Sequence, residues 1–171
     1  MERPIFAIDP GPVESGFVQA LYEGKTVKHV YGHGKYQNQQ IADFLRANYR
    51  RSESEIAVEM IASYGMAVGR EVFETCVWIG RFLEAAGIPQ AIAARHLVYR
   101  LEEKQTLCHS TKAKDSNIIQ ALVDKYAPGP PNHGKGTKKT PGFFYGFSRD
   151  AWQAMAVAVT WLEREGEDVV G

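Results

Sequence analysis

The sequence is poor in cysteine, which excludes a disulfide framework as the basis of its fold. Its two cysteines, Cys76 and Cys108, stand far apart in 171 residues and lack the close spacing of a metal-binding pair. Both lie in apolar stretches of the chain. We therefore interpret them as reduced, partly buried thiols that belong to no metal site.

Long hydrophobic runs and a leader pattern are also absent. No apolar run approaches the ~20 residues that a membrane-spanning helix requires. The N-terminus MERPIFAIDP enters a strand-like run at once, without the charged, apolar and small-residue order of a signal peptide. We therefore expect a cytoplasmic protein that has no contact with a membrane.

The chain has no excess charge of either sign, because 20 basic side chains balance 20 acidic ones. The charges are nevertheless segregated. Residues 1–103 carry 11 basic and 13 acidic side chains, residues 104–149 carry 8 and 2, and residues 150–171 carry 1 and 5. The basic middle segment could face a phosphate backbone and release its counterions. It is equally compatible with a solvated face that includes a flexible basic loop.

The spacing of apolar residues predicts a single α/β domain over 1–171. Three strands in an antiparallel meander, a helix, a strand and then alternating helices and strands indicate a mixed sheet with packed helices. The glycine-, proline- and lysine-rich segment 127–142 is predicted to be a mobile basic loop. The predicted strands are 4–8, 16–21, 26–31, 56–61 and 96–101, and the predicted helices are 38–49, 70–86, one capped by Ser110 or Thr111, and 148–165.

Three carboxylates stand where burial and propensity would not choose an acid. Asp9 ends the first strand, Glu59 interrupts a later apolar strand, and Asp150 lies in the first turn of the last helix. If those strands are neighbours and the helix packs across them, the three acids converge, and like charges at close quarters require a cation. Oxygen-only ligation selects Mg²⁺ or Mn²⁺, and two such ions can clamp the attacking water and the leaving oxygen of a phosphodiester.

Each acid also has a simpler interpretation. Asp9 could merely start a turn, and Asp150 could be a favourable charge at a helix N-terminus. Glu59 could be neutralised by Arg70 in a buried ion pair. The residues alone leave these alternatives open.

Three short segments stand out together: AIDPG at 7–11, SGF at 15–17 and AVE at 57–59. They resemble the opening strand, the hairpin and the second acidic strand of the RuvC-type Holliday-junction resolvases of the RNase H-like superfamily. Residues 149–158, RDAWQAMAVA, resemble the closing helix. Residues 141–146, PGFFYG, resemble the segment before that helix in divergent phage-borne members of the family.

This resemblance implies an α/β fold of the RNase H-like type (ribonuclease H fold): a mixed five-stranded sheet with an antiparallel three-strand meander and helices on both faces. It implies a Mg²⁺-dependent endodeoxyribonuclease, with Mn²⁺ as a substitute, that resolves four-way junctions or other branched DNA by paired nicks. Asp9, Glu59 and Asp150 match the family's catalytic metal ligands. A homodimer in a bacterial or phage-infected host cell is also implied. No nucleotide cofactor is expected, because a sugar-kinase-like ATPase needs two such domains.

The closing helix departs from the family's pattern at one position. The family usually has two metal-facing side chains three residues apart, and here Asp150 is followed by Gln153. A glutamine carbonyl can ligate a metal, but as a neutral dipole it attracts a cation less strongly than a carboxylate does. We therefore expect either a loosely held second ion or help from another acid.

The resemblance also implies DNA contacts outside the acids. The family has an aromatic residue after the second acidic strand, near Ala62 here, so that Tyr64 is a candidate for stacking on an unpaired base. The alternative for Tyr64 is packing under its loop. We expect the other contacts to be with phosphates rather than with bases. The candidates are Arg70, Lys112, Lys114, Lys135, Lys138 and Lys139.

Two further functions share these features. An RNase H-like nuclease for RNA–DNA hybrids or another duplex would use the same acids. A catalytically silent protein that binds branched DNA would keep the fold without the chemistry, and Gln153 is the strongest argument for it. Junction cleavage is the leading hypothesis.

Overall fold

The computed structural model describes residues 1–50 and 53–165, which form one five-stranded sheet with helices on both faces. Among these residues, no helix has the length and apolarity that crossing a membrane requires. The elements are β1 (Arg3–Asp9), β2 (Glu14–Glu23), β3 (Thr26–Gln37), α1 (Asn38–Asn48), β4 (Glu55–Met60), α2 (Arg70–Ala85), a 3-10 helix (Gln90–His96), β5 (Leu97–Tyr99), α3 (Arg100–Cys108), α4 (Asp115–Tyr126) and α5 (Arg149–Glu165).

The order of strands in the sheet is β3-β2-β1-β4-β5. The first three strands pair antiparallel, whereas β4 is parallel to β1 and β5 is parallel to β4. This confirms the predicted mixed sheet and its antiparallel meander. Because β1 and β4 run in the same direction, their C-terminal ends lie next to each other at one edge of the sheet.

Two hydrophobic cores lie on opposite faces of the sheet. Side chains alternate between the faces along a strand, so Ile5 and Ala7 of β1 pack with α5, whereas Phe6 and Ile8 pack with α1 and α2. The sequence predicts an amphipathic α5, but the helix is buried on nearly all sides between the sheet and its neighbouring helices. Its small alanine side chains allow this close packing.

The third strand is longer than the sequence predicts. The pattern indicates an end at Tyr31, but β3 continues to Gln37 through Gly32 and Gly34, which pair with β2. The two glycines interrupt the apolar pattern without interrupting the backbone pairing. The extension matters for function because it includes Lys35.

The predicted strand 96–101 is wrong beyond Tyr99, where α3 begins. The Glu102 side chain accepts a hydrogen bond from the Tyr99 backbone N–H, which stabilises the first turn of a helix. The following helix starts later than its predicted cap, because Lys114 is the residue before α4. Residues 100–108 are therefore helical, and they include Glu103.

The segment 127–142 has a hydrogen-bonded backbone. Gly136 and Pro141 form an isolated antiparallel bridge, and the Gly142 N–H donates to the Lys135 carbonyl. Just beyond the segment, Phe144 is fully buried in the α5 core and ties the loop to the domain. The predicted mobility of this loop stays a prediction.

Candidate active site

The C-terminal ends of β1 and β4 place two carboxylates next to each other. The register pairs Ile8 with Val58, so Asp9 and Glu59 are the next residues along these parallel strands. Both follow the side-chain direction of Ala7 and Ala57, which pack in the core beneath α5. Asp9 and Glu59 therefore point to the α5 face of the sheet.

The first turn of α5 brings a third carboxylate over the sheet at Gly16. Gly16 pairs with Asp9, and a Cβ atom built at Gly16 would lie 2.8 Å from the Cβ of Asp150. A glycine is therefore required for α5 to approach β2 this closely. The same approach brings Gln153, three residues further along α5, to the site.

All four predicted metal ligands line one open cavity of about 510 Å³. The acids expected to converge therefore do meet in a single pocket, although they come from two strands and a distant helix. Their role as metal ligands stays a prediction. The lining residues are Asp9, Lys35, Glu59, Asp115, Arg149, Asp150 and Gln153.

Asp9 has the most perturbed environment of the three acids. Burial, together with the nearby Glu59 and Asp150 carboxylates, raises the pKa of Asp9 to about 7, although Arg100 and Lys35 act in the opposite direction. A carboxyl in this environment holds a proton until another positive charge stabilises its ionised form. The cavity therefore has too little positive charge near Asp9 to keep this carboxyl ionised at lower pH.

A buried carboxyl on α3 supports Glu59 from behind. Glu103 is fully buried and contacts Glu59, and its Oε2 lies 2.5 Å from Nη1 of Arg100. The same guanidinium pairs with Asp115, so it links Glu103 to another acid that lines the cavity. Arg100 therefore anchors both the support of Glu59 and the first residue of α4.

Glu59 and Glu103 share a polar contact that needs a proton. Burial and the Glu59 carboxylate raise the pKa of Glu103 well above its usual value. In the described part of the chain, the buried Oε2 of Glu59 and Oε1 of Glu103 have no hydrogen-bond partner. One proton held between the two carboxyls would satisfy both oxygens and would keep Glu59 in place.

The cavity fits a hard divalent cation by its chemistry. Its donors are carboxylate oxygens and one amide oxygen, the ligands that Mg²⁺ and Mn²⁺ prefer. The raised pKa of Asp9 indicates that the nearby positive charge is too small to stabilise its ionised form. Within residues 1–50 and 53–165, no three or more Asp, Glu, His or Cys side chains are arranged to hold a metal ion together. Two of the acids also contact other side chains: Asp150 Oδ1 lies 3.5 Å from Lys35 Nζ, and Glu59 contacts Glu103.

Tyr64 and Arg70 lie outside this cavity. Tyr64 follows β4 in a turn with φ of +47°, and its side chain is 56% exposed, so the alternative that it packs under the loop is wrong. Arg70 Nε lies 2.6 Å from Glu74 Oε1 on the surface of α2, so Arg70 does not neutralise Glu59. Contact of either residue with DNA stays a prediction.

The lysines predicted to contact DNA lie in two surface segments. Lys112 and Lys114 are exposed and immediately precede α4, whose first residue lines the acidic cavity. In the second segment, Lys138 and Lys139 are exposed and Lys135 is half-buried. Contact of these lysines with phosphates stays a prediction.

Sequence reasoning missed Lys35, Asp115 and Arg149 in the cavity and Glu103 behind it. Lys35 could have been found by reading β3 through its glycines, because the register then aligns Lys35 with Gly16 and Gly16 with Asp9. Arg149 directly precedes Asp150 and could have been found by that neighbourhood alone. Glu103 carried no usable signal, because the start of its helix was predicted as a strand and Glu103 itself lay outside every predicted element.

Among the solved structures that share the fold of this chain are two of RuvC. One is the Thermus thermophilus RuvC structure, with a TM-score of 0.65 and 18% identity over 96% of this chain and 97% of that one. The other is T. thermophilus RuvC in complex with Holliday junction substrate, with a TM-score of 0.55 and 18% identity over 96% of each chain. No protein-family model and no curated protein sequence matches this chain. The likeness confirms the predicted RuvC-like, RNase H-like fold.

Proposed function

We propose that this protein is a divalent-metal-dependent endonuclease that cuts four-way junctions or other branched DNA. The observation that carries the proposal is the acidic cavity, where β1, β4 and α5 bring Asp9, Glu59 and Asp150 together. The fold likeness adds support, because the T. thermophilus RuvC that it resembles was solved with a Holliday junction substrate. We place this activity in the cytoplasm of a bacterial or phage-infected cell.

Asp9, Glu59 and Asp150 are proposed to hold Mg²⁺ or Mn²⁺, with Gln153 as a neutral oxygen donor. A divalent ion bound there would supply Lewis acidity, which stabilises charge developing on a phosphate during its hydrolysis. Glu103 keeps the Glu59 carboxylate oriented from behind, and Gly16 lets Asp150 reach the same pocket. The chain itself therefore brings a set of oxygen donors into one pocket.

Basic side chains near the cavity are proposed to position the DNA backbone. Lys112 and Lys114 lie next to α4, and the loop lysines Lys135 and Lys138 line a second cavity of about 480 Å³. Contacts of this kind set the register of DNA and make affinity depend on salt, whereas they carry no sequence information. Tyr64, exposed after β4, is proposed to stack on an unpaired base.

A homodimer is proposed because paired nicks require two active sites. The outward face of α2 exposes Phe73 and Val77, each 62% accessible. Among the described residues, and apart from the adjacent backbone of α2, no atom lies within 4 Å of a Cβ built at Gly80. An apolar stripe with a glycine on a surface helix suits close contact with the same helix of a second copy. We expect Val77→Glu to convert a dimer into a monomer in analytical ultracentrifugation, whereas Val13→Glu, also at an exposed valine, leaves the dimer intact.

A cleavage assay with Asp9→Asn tests the nuclease proposal. With Mg²⁺ or Mn²⁺, the wild type should nick a synthetic four-way junction in preference to a linear duplex and an RNA–DNA hybrid. Asp9→Asn should abolish nicking but keep junction binding, because it removes a ligand charge and leaves the basic surface unchanged. Asp43→Asn, at an exposed acid on α1, is the matched control. Equal turnover by Asp9→Asn would contradict the metal assignment.

A catalytically silent protein that binds junctions is the second candidate. Gln153 in place of an acid favours it, and so does the finding that no three or more Asp, Glu, His or Cys side chains of the described residues are arranged to hold a metal ion. Such a protein would bind the junction at every Mg²⁺ concentration and show no metal-dependent nicking. The titration of Mg²⁺ in the assay above therefore separates the two functions.

A further inference from the structure

Lys35 lies on the acidic cavity in a position that the backbone register dictates. Asp9, Gly16 and Lys35 are aligned across β1, β2 and β3, so the three residues project to the same face of the sheet. Gly16 has no side chain, and the first turn of α5 occupies the space above it. Asp150 therefore lies between Asp9 on one side and Lys35 on the other.

Lys35 neutralises one acid of the cavity and leaves the two strand acids without an ion pair in the described residues. Lys35 Nζ is 3.5 Å from Asp150 Oδ1, and Asp115 is paired with Arg100. Asp9 and Glu59 form no ion pair shorter than 4 Å with any residue in 1–50 or 53–165. Within the described residues, the two strand acids therefore lack a direct ion-pair partner, whereas the acid on α5 has one.

Lys35 is also accessible from the cavity mouth, because its side chain is 47% exposed. An ammonium group on a flexible four-carbon stem can remain near Asp150 and still reach a phosphate that enters the cavity. A permanent positive charge at this place would attract the phosphate and stabilise the negative charge that develops on it. The basic residue thus offers two of the effects that a second metal ion would provide.

We propose that Lys35 is the second cation of the active site: the cavity binds one divalent ion at Asp9 and Glu59, and the Lys35 ammonium replaces a second ion at Asp150. The inference deepens the proposed nuclease function and rests on it. It also gives Gln153 a physical reason, because a site with a built-in ammonium needs one carboxylate fewer to balance its charge. Lys35 then contacts the phosphate of the bound DNA directly.

Counting bound Mn²⁺ tests the proposal without measuring activity. The loss of the free Mn²⁺ signal in electron paramagnetic resonance gives the number of ions bound by the full chain without DNA. We expect about one ion for the wild type and for Lys35→Arg, which keeps the charge, and about two for Lys35→Met, which frees Asp150. Lys28→Met, at an exposed lysine on the same strand, should remain at about one ion.

The rate of junction nicking is the second measurement that tests the role of Lys35. Lys35→Met should lose about tenfold or more of the nicking rate at low Mg²⁺, Lys35→Arg should keep most of it, and added Mn²⁺ should restore part of the loss in Lys35→Met. A wild type that binds two ions, or none, would overturn the proposal, and so would a Lys35→Met variant with unchanged ion count and unchanged nicking. Thermal unfolding verifies that the exposed substitutions leave the fold intact.

The two proposals fail in different ways. If the wild type nicks no branched DNA under any metal condition, the nuclease function is wrong, while the ion count still decides whether Lys35 takes the place of a cation. If the wild type nicks junctions but binds two ions at the cavity, the nuclease function stands and the role of Lys35 is wrong.

Discussion

The two sides of the acidic cavity differ in how their carboxylates are neutralised. On the strand side, Asp9 and Glu59 have no ion-pair partner in the described ranges, and Glu103 adds a buried carboxyl behind them. On the helix side, Asp150 pairs with Lys35 and is followed by the neutral Gln153. Burial and repulsion between like charges therefore both disfavour ionised carboxylates on the strand side. A divalent ion would stabilise the acids on this side most.

Exchanging an acid for its amide on the two sides should have unequal effects on cleavage. We expect Glu59→Gln to lower the nicking rate about 10³-fold or more, because it removes a ligand that no other charge replaces. Asp150→Asn should cost only about 10–100-fold, because Lys35 already offsets its charge. Single-turnover nicking of a labelled junction in Mg²⁺ measures both, and equal losses would show that the two sides are equivalent.

Moving the two sides apart should impair the site without changing any charge. In Gly16→Ala, the new Cβ would lie 2.8 Å from the Cβ of Asp150 and 3.0 Å from its carbonyl oxygen, so the start of α5 must shift. We expect a loss of about 1–3 kcal/mol in the free energy of unfolding and about tenfold or more in nicking. Gly129→Ala, in open space on the basic loop, is the control and should change neither quantity. Wild-type nicking by Gly16→Ala would show that the close approach is dispensable.

The strand side should also limit the stability of the metal-free protein at high pH. The pKa of Asp9 is raised from 3.8 to about 7, so the folded chain binds more protons than the unfolded chain between these values. Stability therefore falls as the pH rises through this range, and the loss is complete above pH 7. Asp9→Asn removes the charge, so at pH 8 it should be more stable than the wild type by about 1–3 kcal/mol.

Denaturant unfolding at two pH values measures this effect. Well below pH 3.8, Asp9 is neutral in both the folded and the unfolded state, so the variant and the wild type should converge in stability. Mg²⁺ at pH 8 should raise the unfolding temperature of the wild type and leave Asp9→Asn little changed. Asp43→Asn serves as control, because Asp43 is exposed and contacts Gln39 and Arg46 on its own helix. If the wild type without metal is as stable as Asp9→Asn at pH 8, the ionised Asp9 carboxylate does not destabilise the folded protein, and the prediction is wrong.

The core architecture could be predicted because it depends on local patterns. Alternating and continuous apolar runs indicated the five strands and most helices, and the confirmed meander followed from their order. The errors have a common cause. Gly32 and Gly34 break the apolar pattern of β3, so its end was predicted too early. The apolar residues within 97–101 resemble a strand, so the start of α3 was missed, because strand and helix signals overlap in short segments.

The three acids could be singled out because each violates a local expectation. A carboxylate in a buried strand, such as Glu59, is costly unless something compensates for it, and this conflict is visible without a structure. The residues that contact these acids violate no such local expectation. Lys35 on an edge strand and Glu103 in a charged helix are ordinary in sequence terms, so no pattern connects them to the cavity.

The amino-acid sequence by itself determined the order of the five strands and most helices, the acids at their ends and the glutamine that replaces a further acid. Only the tertiary structure decided which charges meet. Pairing register aligns Lys35 with Gly16 and Asp9, and α3 carries Glu103 beneath Glu59. The reason is physical: electrostatic interaction depends on distance and burial in space, and residues far apart along the chain acquire both only when the sheet and its helices pack.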